Sequence, residues 1–161
     1  MLGRLLAYSA FAIALTAAGL ANAANVTSLN PETLVQALHN AGYKAKLGKA
    51  DDGTPLIETA SDGNNILIIM TDCTNNASCT TTEFVGIWDC SDSVAACQKT
   101  ATAFNAQEQP THVLMSEDGK RATTYSYLIF DKAGISEELF IRNLVAFNYY
   151  NNQFTLSVGE K

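Results

Sequence analysis

Apolar residues along this chain follow two rhythms, one of three to four residues and one of two, in alternating blocks. Asn30 suits a helix N-cap and Pro31 the first helical position. Leu34, Val35, Leu38 and Ala41 then recur at helical spacing until Gly42, which predicts a helix from Pro31 to Ala41. The period then shortens. Tyr43 to Gly48 and Leu56 to Ala60 read as strands, separated by the turn Asp51-Asp52-Gly53. After Ser61-Asp62-Gly63-Asn64, the stretch Asn65 to Asp72 holds the unbroken run Ile66-Leu67-Ile68-Ile69-Met70. Such a run is expected of a strand buried on both faces. Thr80 to Trp88 is its partner, which makes four strands in a meander.

The helical period returns with Val94, Cys97, Ala101 and Phe104, ending near Ala106. Thr111 to Met115 and Arg121 to Phe130 are predicted strands joined at Ser116-Glu117-Asp118-Gly119. Ser136 should cap a last helix, with Glu137 and Glu138 in its first turn, where acidic groups favour the dipole. Leu139, Phe140, Leu144 and Phe147 line one face of it, with Tyr150 near its end. The tail from Phe154 to Lys161 is expected to be loose or to add a short edge strand. The predicted order is α-β-β-β-β-α-β-β-α. This is an α+β domain in which three helices pack on an antiparallel meander sheet.

The beginning of the chain changes where this domain is expected to work. Met1-Leu2-Gly3-Arg4 is basic, Leu5 to Leu20 is apolar, and Ala21-Asn22-Ala23 places small residues before a cut. This is the layout of a secretory signal peptide over residues 1–23, leaving a single domain over 24–161. A periplasmic or secreted protein without a stable membrane anchor is the expectation. The 161-residue chain carries 10 basic and 16 acidic residues, a net −6, and losing Arg4 makes the remainder more acidic still. Such a balance repels phosphate backbones, so no nucleic-acid partner is expected.

Export bears on the four cysteines, Cys73, Cys79, Cys90 and Cys97. An even number in an oxidising compartment argues for two disulfides, with three connectivities open. Cys73–Cys79 with Cys90–Cys97 is preferred, because each pair is close in sequence and flanked by a turn. Structural zinc usually takes C-x2-C pairs, and these spacings differ, so no metal and no cofactor are expected.

At this point the chain resembles the YbjN family, bacterial proteins described as sensory transduction regulators. The resemblance rests on Asn30-Pro31-Glu32-Thr33-Leu34-Val35-Gln36-Ala37-Leu38 with Gly42-Tyr43, on Asp72-Cys73 with Cys79-Thr80, and on Phe104-Asn105. Glu117-Asp118-Gly119 and Gly134-Ile135-Ser136 complete it. Where relatives often carry a basic residue and an aromatic after the aromatic-Asn pair, this chain has Ala106-Gln107-Glu108-Gln109-Pro110. The resemblance implies a fold similar to type III secretion chaperones, often a homodimer, and implies no enzyme activity.

Candidate chemistry is sparse. His39 and His112 are the two histidines, and no G-x-S-x-G elbow accompanies them. Asp51 with Asp52 and Glu117 with Asp118 precede glycines, which marks turns before catalysis. The aromatic residues are more informative. Tyr125, Tyr127 and Ile129 share one face of the long strand, and Thr124, Ser126, Leu128 and Phe130 the other. Both faces are partly apolar. The commoner arrangement makes Tyr125 and Tyr127 core residues with wet hydroxyls; the other makes them an outward stripe for a partner. Trp88, Tyr149 and Tyr150 carry the same two readings.

The expectation is a non-enzymatic exported domain, chaperone-like or regulatory, that binds a protein or peptide noncovalently. The alternative is a small inhibitor of a cell-envelope hydrolase such as a lysozyme, probing a cleft with Thr74-Asn75-Asn76-Ala77-Ser78.

Overall fold

Pro31 opens the first helix, α1 (Pro31–Asn40), which buries Leu34, Val35, Ala37 and Leu38 along one side. The Asn30 side chain makes no capping bond; its carbonyl accepts from Thr33 N at 3.0 Å and from Thr33 Oγ1 at 2.7 Å. Gly42 then turns the chain at φ +86°, a conformation glycine adopts without penalty. In this computed structural model, which describes residues 25–159, the rest of the domain is a six-stranded sheet with helices on a single face and a separate two-stranded pair. The expected signal peptide lies outside the described residues.

A short strand β1 (Asn25–Val26) precedes α1. After it come β2 (Ala45–Lys49), β3 (Pro55–Ser61), β4 (Asn64–Thr71) and β5 (Thr81–Asp89), then α2 (Val94–Asn105). The chain continues as β6 (His112–Met115), β7 (Arg121–Ile129), β8 (Ile135–Ser136) and α3 (Glu137–Gly159). The large sheet is antiparallel with strand order β2-β3-β4-β5-β7-β6. The expected meander holds through the first four strands. The last two enter reversed: β7 matches β5 along its whole length, from Thr81↔Ile129 to Asp89↔Arg121, and the four-residue β6 takes the edge. β1 and β8, unforeseen in the sequence, pair with each other.

Alternation along each strand divides the side chains between a helix-covered face and an open one. Ile57, Ile66, Ile68, Met70 and Phe84 are fully buried beneath α1 and α3. Phe84 stacks on Phe140 and Phe147 at ring separations of 6.0 and 5.8 Å. A second cluster joins Cys97, Ala101 and Phe104 of α2 to Val113, Ala122 and Phe154. The run Ile66 to Met70 is therefore covered on one side only. Leu67 and Ile69 point to the open face and are half-buried by neighbouring strands.

The tail is neither loose nor a strand. Phe140, Leu144, Phe147, Asn151 and Phe154 keep a helical period toward the sheet, all at most 1% exposed, and Phe154 meets Phe104 edge-on at 5.6 Å. Burial of that second aromatic carries α3 on to Gly159. Among the described residues no helix is long and apolar enough to cross a membrane.

The sulfurs of Cys73 and Cys79 lie 2.09 Å apart, and those of Cys90 and Cys97 1.95 Å apart. The first pair closes the loop between β4 and β5. The second ties the end of β5 to the start of α2.

A polar seam runs through the layer between sheet and α3. Asn151 Oδ1 accepts from Trp88 Nε1 at 3.1 Å and from Thr124 Oγ1 at 2.6 Å. Asn148 Nδ2 donates to Ser61 Oγ at 3.0 Å and Asp62 Oδ2 at 2.6 Å, and Asn64 donates to Asn152. Gly86 makes this approach feasible. A Cβ there would stand 2.6 Å from Thr124 Oγ1 and closer still to the Asn151 oxygen.

Candidate interaction surface on the open sheet face

Because all three helices cover one face, the odd-numbered residues of β5 and β7 and the even-numbered residues of β6 form the other. Strand register sets them in rows. Ile69, Glu83 and Tyr127 make one row, and Leu67, Val85, Tyr125 and His112 the next. Ile87, Thr123 and Leu114 lie on one side of these, and Thr71, Thr81 and Ile129 on the other.

Four large hydrophobic side chains stand out from this face: Ile129 at 75% exposure, Leu114 at 58%, Tyr127 at 57% and Ile87 at 52%. Tyr125 is half-buried between them. Its ring lies 5.6 Å from that of Tyr127, edge to face, and 6.0 Å from the His112 imidazole. Beneath these rings Val85 is only 5% exposed although no helix covers it. Clustered apolar side chains on one exposed face are the usual mark of an interaction site. The tyrosine pair thus has the outward placement, and the core placement expected as the commoner case is not what the fold adopts. The reason is topological: the inner positions of β7 go to Ala122, Thr124, Ser126 and Leu128, with Phe130 just beyond the strand, and Ala122, Leu128 and Phe130 join the helix-covered clusters.

Among the described residues that β4, β5, β6 and β7 place in the two central rows, Glu83 is the one carboxylate; Glu58 continues the second row on β3, opposite Lys46. Partial burial among Val85, Ile69 and Tyr127 raises its pKa, while the Tyr127 hydroxyl draws it partly back. The Glu83 charge in turn raises the pKa of Tyr127.

The other aromatic candidates lie elsewhere. Trp88 points to the helix-covered face, where its indole N–H reaches Asn151 and its ring packs on the second cluster. It is therefore corrected from a candidate contact residue to a structural one. Tyr150 is likewise half-buried on the second cluster. Tyr149 is exposed on α3 and meets Tyr150 edge-on at 5.1 Å. With Ile141, Arg142, Val145 and Ala146 these two line a groove of about 470 Å³ on the far side of α3. The five aromatic candidates thus divide between three places.

The two histidines do not form a site together. His39 lies on α1, its Nε2 3.0 Å from Ala45 O, and His112 sits on the edge strand beside Tyr125. A cavity of about 480 Å³ between α2 and the end of α3 is lined by Asp89, Asp92, Lys99 and Gln107, with no histidine. Among the described residues no group of three His, Cys, Asp or Glu is arranged to hold a metal ion.

Glu83 carries no mark in the sequence, since its isolation appears only when register sets it between Ile69 and Tyr127. Asn105, the second residue of the aromatic-Asn pair, has a structural role that its spacing does not show. Its amide accepts from Val113 N and donates to Val113 O, both at 2.8 Å. It thereby occupies the outward backbone groups of the edge strand β6, as a neighbouring strand would.

No family model and no curated protein sequence matches the chain. Among solved structures it is similar to the crystal structure of YbjN from E. coli, described as a candidate transcription regulator. The identity is 14%, covering 83% of this chain and 92% of that one, with a TM-score of 0.55. The likeness extends across the three helices and the open antiparallel sheet, and the architecture of this chain is a YbjN-like α+β fold.

Proposed function

We propose that this protein is an exported, non-enzymatic binding module that recognises polypeptide noncovalently through the open face of β5, β7 and β6. The observation that carries the reading is the stripe of Ile87, Leu114, Tyr127 and Ile129 around the Tyr125 ring, exposed on a rigid sheet. Its rigidity comes from paired strands on both sides of β5 and β7 and from the packed layer beneath. A partner then meets a surface already ordered, which lowers the entropy cost of binding. A chaperone-like or regulatory role follows from capture and release of that partner.

The test places a photo-crosslinking amino acid at Tyr127 or, as a control on the helix layer, at exposed Gln98. Illumination in envelope extract should give polypeptide adducts from position 127 and none from 98. Adducts from both positions, or from neither, refute the reading.

A second reading draws on the Cys73–Cys79 loop. Thr74 and Ala77 exchange two backbone hydrogen bonds at 2.8 and 3.1 Å, and Asn75 and Asn76 turn the tip at φ +54° each. Asn76 Nδ2 also donates to Asp52 O at 2.7 Å. A tip held this firmly suits insertion into a hydrolase cleft. Replacing residues 74–78 with Gly and Ser should abolish inhibition of lysozyme; absence of inhibition by the unaltered protein removes this reading.

A further inference from the structure

Building on the proposed polypeptide-binding face, we infer that Glu83 is the seat of a cationic side chain, lysine or arginine, carried by an otherwise apolar segment of the partner. Register places Glu83 at the middle of the stripe, with Ile69 on one side, Tyr127 on the other and Val85 next along the same face. Among the described residues of the rows through Glu83, Val85 and Thr81, β4, β5, β6 and β7 supply no lysine or arginine. Of the cations on this face, Lys46 lies on the far edge strand opposite Glu58, and Arg121 pairs in register with Asp89 at the end of β7. A second carboxylate, Asp72, stands beside the stripe and accepts from Thr81 Oγ1 at 2.9 Å. The charge at the centre is thus negative, met by the Tyr127 hydroxyl but by no lysine or arginine of these rows.

This arrangement selects among occupants. An apolar segment lacking a cation would cover Glu83 and leave a desolvated carboxylate with a neutral hydroxyl and no counter-ion, which opposes binding. An acidic segment would add repulsion. A second copy meeting this face two-fold with the same stripe would bring its own Glu83 toward the first. A lysine or arginine replaces the lost water with a charge-assisted hydrogen bond. It also comes within reach of the Tyr125 and Tyr127 rings, whose faces attract cations. The flanking Ile87, Ile129 and Leu114 then take the apolar neighbours of that residue. Specificity arises as much from excluding the wrong partner as from rewarding the right one.

The test is selection from a random peptide display library on the oxidised protein and on two variants, Glu83→Gln and the pair Tyr127→Ser with Ile129→Ser. Emission from Trp88, on the opposite face, reports that each variant is folded. Peptides selected by the parent protein should be enriched in Lys or Arg flanked by apolar residues. Glu83→Gln should lose that basic bias and bind the selected peptides about tenfold more weakly, the scale of one hydrogen bond to a charged group. The double variant should select nothing. Selected peptides that depend on Tyr127 and Ile129 but lack a basic bias, or a bias unchanged in Glu83→Gln, overturn the cation seat and leave the polypeptide-binding face standing. No selection by the parent protein overturns both. Selection of this chain's own face sequences would indicate self-association in place of a cationic partner and likewise overturn the seat.

Discussion

Replacing Asn151 tests the polar seam that joins α3 to the sheet. Asn151 is fully buried, its Oδ1 accepts from Trp88 Nε1 and Thr124 Oγ1, and its Nδ2 has no partner. In Asn151→Ala both donors lose their acceptor. A buried donor left alone costs about 1–3 kcal/mol. Two effects moderate this. Thr124 Oγ1 keeps its longer contact to Gly86 O at 3.3 Å, and Trp88 as a residue is half-buried, not fully enclosed. Removing the unpartnered Nδ2 also returns part of the loss. The expected net destabilisation is about 2–3 kcal/mol. With a urea dependence of about 1–3 kcal/mol per molar, the unfolding midpoint moves down by roughly 1–2 M. Trp88 is the single tryptophan, so its fluorescence follows this region directly.

Asn151→Asp sharpens the test. It keeps an acceptor oxygen and exchanges the orphaned amide nitrogen for a second oxygen. Protonated, it fits the seam; ionised, it is a buried charge without a counter-ion, so burial raises its folded pKa above the unfolded value near about 4. Its stability is therefore greatest below the unfolded pKa and falls as pH rises through the folded pKa. Urea midpoints for the parent protein and both variants, from acid to neutral pH, decide the matter. A cost below about 0.5 kcal/mol for the alanine variant, the level of an ordinary surface change, would refute the reasoning. So would an Asp variant whose stability relative to the parent does not depend on pH.

Three further outcomes are expected. Gly86→Ala forces a methyl against Thr124 and Asn151 and should destabilise by about 1–3 kcal/mol, as overpacking does; thermal unfolding measures it. Glu83→Gln should be more stable than the parent at neutral pH, since burial raises the Glu83 pKa; protonated Glu83 is the form folding favours, so the advantage shrinks as pH falls below the unfolded carboxylate value. Asn105→Ala leaves Val113 N–H and C=O exposed on the sheet edge and should both destabilise by about 1–2 kcal/mol and promote concentration-dependent association, visible by size-exclusion chromatography.

Most elements were legible because burial and turn chemistry are local. Leu34, Val35 and Leu38 can lie on one face only if the chain is helical, and the Asp-Gly pairs can end strands whatever surrounds them. The even cysteine count and short spacings pointed to two local bridges for the same reason. The tail does not read as helix in the sequence because its period, Phe147, Asn151, Phe154, Val158, interrupts apolar residues with a buried asparagine. A polar residue inside a helix face looks like its end until Trp88 and Thr124 are seen to satisfy it.

The chain alone determined its α+β class, the order of its principal helices and strands, and its acidic, cysteine-paired character, since each follows from the spacing or kind of nearby residues. It left open which side of β7 faces solvent, because Tyr125, Tyr127 and Ile129 are as apolar as Leu128 and Phe130 opposite them. Only tertiary structure decided that, by placing every helix on one face and setting β7 between β5 and β6. The same pairing isolates Glu83 among apolar neighbours from β4 and β7. Side-chain alternation is a property of a single strand, whereas exposure and the company a charge keeps depend on strands far apart in sequence.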